Sequence, residues 1–84
     1  MTKRALVRAL EAKGFKCIEN EDTAPNQVRI SCEEYGDIIP GNYYDVGMLP
    51  EDWKFGINPI IHELAEKAGS YCEWENPAVI SIYL

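Results

Sequence analysis

Apolar positions recur along this chain in two periods. Ala5, Leu6, Ala9 and Leu10 fall at helical spacing, with Arg8, Glu11 and Lys13 outside the stripe, and Thr2 stands where an N-cap belongs. Gly14 follows as a left-handed C′ residue, and Phe15 at C″ is placed to fold back on Leu10, so the pattern predicts a helix over residues 3–13. Ile60, Ile61, Leu64, Ala65 and Ala68 repeat the stripe behind Asn58-Pro59, an N-cap with proline at N1, and Gly69 closes that helix. His62, Glu63, Glu66 and Lys67 are expected on its outer side.

The second period is two. Over residues 27–33, Val28, Ile30 and Cys32 alternate with Arg29, Ser31 and Glu33, as in a half-buried antiparallel strand. Residues 15–20, 71–75 and 78–84 also read as strands, the last pair joined at Asn76-Pro77. Residues 34–57 carry Gly36, Pro40, Gly41, Gly47, Pro50 and Gly56, which prevent long regular elements. Ile38-Ile39 and Tyr43–Val46 are candidate short strands there, and Pro50–Trp53 a candidate helical turn. The expected fold is a single α+β domain over 1–84. Its order is α-β-β-(β)-α-β-β, with two helices on one face of an antiparallel sheet of four to five strands. Leu10…Gly14…Cys17…Glu19-Asn20 is echoed by Leu64…Gly69…Cys72…Glu75-Asn76, with Val28–Ser31 matching Val79–Ile82, which raises a tandem αββ pseudo-repeat.

Charge changes the picture. The net charge is −6, but residues 1–16 are basic through Lys3, Arg4, Arg8, Lys13 and Lys16, and nearly all the carboxylates lie beyond them. Between Arg29 and Lys54 there is no cation, while Glu33, Glu34, Asp37, Asp45, Glu51 and Asp52 are interleaved with Tyr35, Tyr43, Tyr44 and Trp53. An acidic chain repels nucleic-acid phosphates and attracts basic partners. Tyr and Trp supply the rigid, amphipathic area common in binding hot spots. The expectation is therefore a protein-binding inhibitor or adaptor. It would dock on a basic, nucleic-acid-handling surface through Glu33, Glu34, Asp37, Tyr43, Tyr44, Asp45, Glu51, Asp52 and Trp53. In size and charge alone the chain is comparable with nuclease-immunity proteins and with the inhibitors phages direct against restriction and CRISPR systems. Two alternatives stand beside it: a homodimer formed through an edge strand at 78–84, and a weak RNA binder using the basic first helix.

Catalytic and metal chemistry are not expected. His62 reads as a solvated helix histidine without a nucleophile in reach. Cys17, Cys32 and Cys72 lack the close pairing of a zinc knuckle and read as buried free thiols. No glycine-rich phosphate loop occurs, so no cofactor is expected. Without a signal-peptide core or a membrane-length apolar run, the expected location is the cytoplasm.

Overall fold

A computed structural model describes all of residues 1–84. Helix α1 (Lys3–Ala12) and helix α2 (Pro59–Lys67) pack on a sheet of β1 (Cys17–Ile18), β2 (Gln27–Ser31), β3 (Cys72–Asn76) and β4 (Val79–Tyr83). All pairings are antiparallel, and the spatial order is β1-β2-β4-β3. The α+β class, the two helices on one sheet and the element order α-β-β-α-β-β are as the patterning predicts.

Local chemistry accounts for the helix limits. The Thr2 hydroxyl accepts from the Ala5 amide, and the Asn58 side chain accepts from the Ile60 amide. Both helices end in Schellman motifs. The Phe15 amide donates to the Leu10 carbonyl and the Gly14 amide to the Glu11 carbonyl. The same pair recurs from Ser70 to Ala65 and from Gly69 to Glu66. Phe15 is buried beside Leu10 in the core.

That core lies between the helices and the sheet. Leu6, Leu10, Ile30, Ile57, Ile61, Ile80 and Ile82 are all fully buried. Each is worth about 1.5–3 kcal/mol of transfer free energy. The β2–β4 register sets Val28 against Ile82 and Ile30 against Ile80 on the helix side. On the other side a polar network forms. Arg29 pairs with Glu75 at 2.7 Å, while the Gln27 amide reaches Glu75 at 2.6 Å, Ser81 at 3.1 Å and the Tyr83 hydroxyl at 3.2 Å.

Three expectations are corrected. The first strand spans two residues rather than six, because the chain leaves the sheet into the Asn20–Thr23 turn, where the Thr23 amide donates to the Asn20 carbonyl. The candidate strands at 38–39 and 43–46 are absent. In their place stand one isolated bridge, Gly41 to Ile57, and 3-10 turns at Val46–Met48 and Lys54–Gly56. The C-terminal strand is central, paired with β2 on one side and β3 on the other, so it offers no edge for a homodimer. The tandem repeat is not confirmed: Cys17 faces Ile30 and Cys72 faces Ile82, one residue off the echo read in the sequence, and the β3–β4 pairing is irregular between Trp74 and Asn76.

Candidate functional site: a stapled aromatic lobe

Residues 42–56 leave the body of the fold as a loop closed at its neck. The Asn42 amide donates to the Gly56 carbonyl at 2.8 Å, and the Asn58 amide donates to the Pro40 carbonyl at 2.9 Å. The Asn58 side chain, buried, donates to the Ile39 carbonyl while it caps α2, so the neck is tied to the helix start. Two glycines permit this closure. A Cβ on Gly56 would stand 2.5 Å from the Asn42 carbonyl oxygen, and one on Gly41 would stand 2.7 Å from the Gly56 oxygen. A pinned loop of this kind is a common carrier of binding function.

The lobe turns its apolar side chains outward. Tyr44 is 79% exposed, Met48 85% and Phe55 74%, with Tyr43 and Val46 also exposed. Isolated exposed apolar residues need no explanation, but a contiguous group does. Here the rings touch. Tyr43 stands edge-on to Tyr44 at 5.5 Å and edge-on to Trp74 of β3 at 5.4 Å. The tyrosines are set by Asn42, whose side-chain oxygen accepts from the Tyr44 and Asp45 amides. The Trp74 indole N–H donates to the Phe55 carbonyl at 2.7 Å.

Phe55 is the strained point. Its φ of 58° is the one left-handed value at a non-glycine residue. A phenylalanine there costs roughly 1–2 kcal/mol, and its ring recovers little by packing. Strain of this sort collects at functional sites.

Of the nine predicted contact residues, Tyr43, Tyr44, Asp45, Glu51, Asp52 and Trp53 all lie on this lobe. Trp53 is half-buried and the others are exposed. Glu33 joins them, sharing a groove of about 300 Å³ with Tyr35, Tyr43 and Tyr44. Glu34 turns away to an exposed pair with Lys16, whose hydrogen bond and charge hold its carboxyl below the usual range. Asp37 is exposed without a hydrogen bond or ion pair of its side chain. Sequence reasoning missed Trp74 on β3 and Tyr71 just before that strand, both distant in sequence and outside the cation-free segment.

The basic first helix is partly neutralised. Lys3 pairs with Glu19 at 3.1 Å and Lys16, beyond the helix end, pairs with Glu34, leaving Lys13 together with Arg4 and Arg8, the two arginines lying beside the largest cavity, about 560 Å³. No helix is long and apolar enough to cross a membrane.

One expectation fails on geometry. His62 is half-buried, and its Nδ1 lies 3.2 Å from Cys72 Sγ, so a thiol and an imidazole do meet. His62 Nε2 lies 2.9 Å from the Lys54 carbonyl. Burial pushes the thiols of Cys17 and Cys32 up to about 12 and that of Cys72 up to about 11. All three are therefore protonated at neutral pH.

Comparison with protein-family models, with curated proteins and with solved structures finds no match. Function is therefore argued from the site alone.

Proposed function

We propose that the protein is a small acidic inhibitor or adaptor that docks on a basic surface of a nucleic-acid-handling protein. The observation that carries this reading is the chain of touching rings Tyr44, Tyr43 and Trp74, with the exposed Phe55 held beside it through its carbonyl, on a lobe that also bears Asp45, Glu51 and Asp52. Exposed aromatics supply anchoring area, and the carboxylates supply long-range attraction and exclude anionic partners. Inhibitors that stand in for a phosphate backbone, such as those of phages against restriction or CRISPR complexes, belong to this class.

The test is capture on the immobilised protein from a lysate of its host, run in parallel with Tyr43→Ala/Tyr44→Ala and Glu51→Lys/Asp52→Lys variants. A basic partner is expected that elutes with rising salt and is lost by both variants. Equal recovery by all three proteins refutes the proposal. The RNA-binding reading draws on Arg4 and Arg8 at the largest cavity. A gel shift with generic RNA at low salt, abolished by Arg4→Glu/Arg8→Glu, would replace the first reading with it.

A further inference from the structure

Protein docking leaves the Cys72–His62 contact unexplained. The lobe aims two carbonyls at this region from adjacent residues: Lys54 at His62 Nε2, 2.9 Å away, and Phe55 at the Trp74 indole. A carbonyl only accepts, so Nε2 carries the imidazole proton and Nδ1 presents its lone pair to Cys72 Sγ at 3.2 Å. A nucleophile, a base in reach and a third group that orients the base make the arrangement of an activated thiol. The strained φ of 58° lies within the turn that supplies both carbonyls. An apolar cleft of about 370 Å³, walled by Phe55, Tyr71 and Trp74, reaches Cys72 with Glu73 at its rim.

We infer that Cys72 is a covalent attachment site for a small, uncharged α,β-unsaturated carbonyl compound, with His62 as its base. The aromatic walls favour an apolar reactant, and Glu73 disfavours an anionic one. As the Sγ–C bond forms at the β-carbon, the thiol proton passes to His62 Nδ1 and the C=C electron pair moves toward the carbonyl as an enolate. His62 then returns the proton to the α-carbon. The sum is an addition with no leaving group and no change in oxidation state that needs a second reactant. The cleft shares Phe55 and Trp74 with the proposed docking surface, but the reaction needs no partner and is read on the free protein.

The three cysteines provide an internal test on the native protein. Cys72 is 6% exposed, whereas Cys17 and Cys32 are half-buried and have no imidazole, since His62 is the single histidine. If reaction followed exposure, Cys72 would be slowest. Pulse labelling with N-ethylmaleimide, read by peptide mass spectrometry, is expected to find Cys72 fastest by about a hundredfold, the scale of a positioned base. His62→Gln keeps an N–H for Lys54 but cannot take the proton, and should slow Cys72 by at least about tenfold while leaving Cys17 and Cys32 unchanged. A Cys72 rate within about tenfold of the other two overturns the inference, because thiol acidity alone allows that much. So does an unchanged Cys72 rate in a folded His62→Gln. The wild-type comparison decides the question even where that variant does not fold.

Discussion

Replacing Phe55 with glycine should make the protein more stable, which is an unusual outcome for deleting an aromatic ring. The φ of 58° places an L-residue in the left-handed region, at a cost of about 1–2 kcal/mol. Glycine adopts that angle freely but gives back about 0.5–1 kcal/mol through its more flexible unfolded state. The ring is 74% exposed, so its removal sacrifices little buried area, and the Phe55 carbonyl that receives the Trp74 indole belongs to the main chain and is retained. The net expectation is a gain of about 0.5–1 kcal/mol. For a domain of this length that is a rise of roughly 2–8 °C in Tm. Phe55→Ala separates the two effects, because it removes the ring but keeps the strain, and it should be close to neutral. Thermal and urea unfolding of the three proteins measures this directly. A Phe55→Gly variant less stable than wild type would refute the reasoning. It would mean that the ring packs more than its exposure implies, and that the turn is not a store of strain held for the sake of the cleft and lobe.

Other perturbations follow from the same geometry. Gly56→Ala combines a φ of 77° with a Cβ only 2.5 Å from the Asn42 carbonyl oxygen. A loss of about 3 kcal/mol or more is expected, and a urea midpoint near that of wild type would show that the neck of the lobe is not closed. Glu75→Gln should cost about 1–2 kcal/mol at pH 7, because Arg29, 13% exposed at its side chain and with a buried Nε that has no partner, loses its counter-charge. Partial burial raises the Glu75 carboxyl, but the hydrogen bonds from Arg29 and Gln27, with the Arg29 charge, outweigh it and hold it below its ordinary value of 4.5. Its contribution is therefore fully present above that value and lost as pH falls through the lower folded one. Wild type should lose stability with acid more steeply than Glu75→Gln, and parallel profiles in acid unfolding would contradict this.

Much of the scaffold was legible because its determinants are local. Asn58-Pro59 and Gly69 bracket α2, and Gly14-Phe15 closes α1, through hydrogen bonds that span at most five residues. Alternation in 27–33 identified the core-facing Val28 and Ile30. The same approach overreached at 15–20, where apolar residues permit a strand but the chain turns out of the sheet after Ile18. It also offered short strands at 38–39 and 43–46 that do not form, because the order in 34–57 comes from contacts between residues far apart in the chain: Gly41 against Ile57, Asn58 against Ile39, and Tyr43 against Trp74.

What the amino-acid order determined by itself was the period of each segment, the caps that end the helices, and a middle third rich in carboxylates and rings but without cations. These depend on neighbours one or two turns away, whose geometry the backbone dictates. Only the tertiary structure decided which strand became central, that Glu34 is spent on Lys16 while Glu33 joins the tyrosines, and that His62 faces Cys72 across ten residues of chain. Such meetings depend on how α2 and β3 lie against each other and on where the lobe's neck is pinned. No periodicity encodes those placements, because they follow from packing the whole core at once.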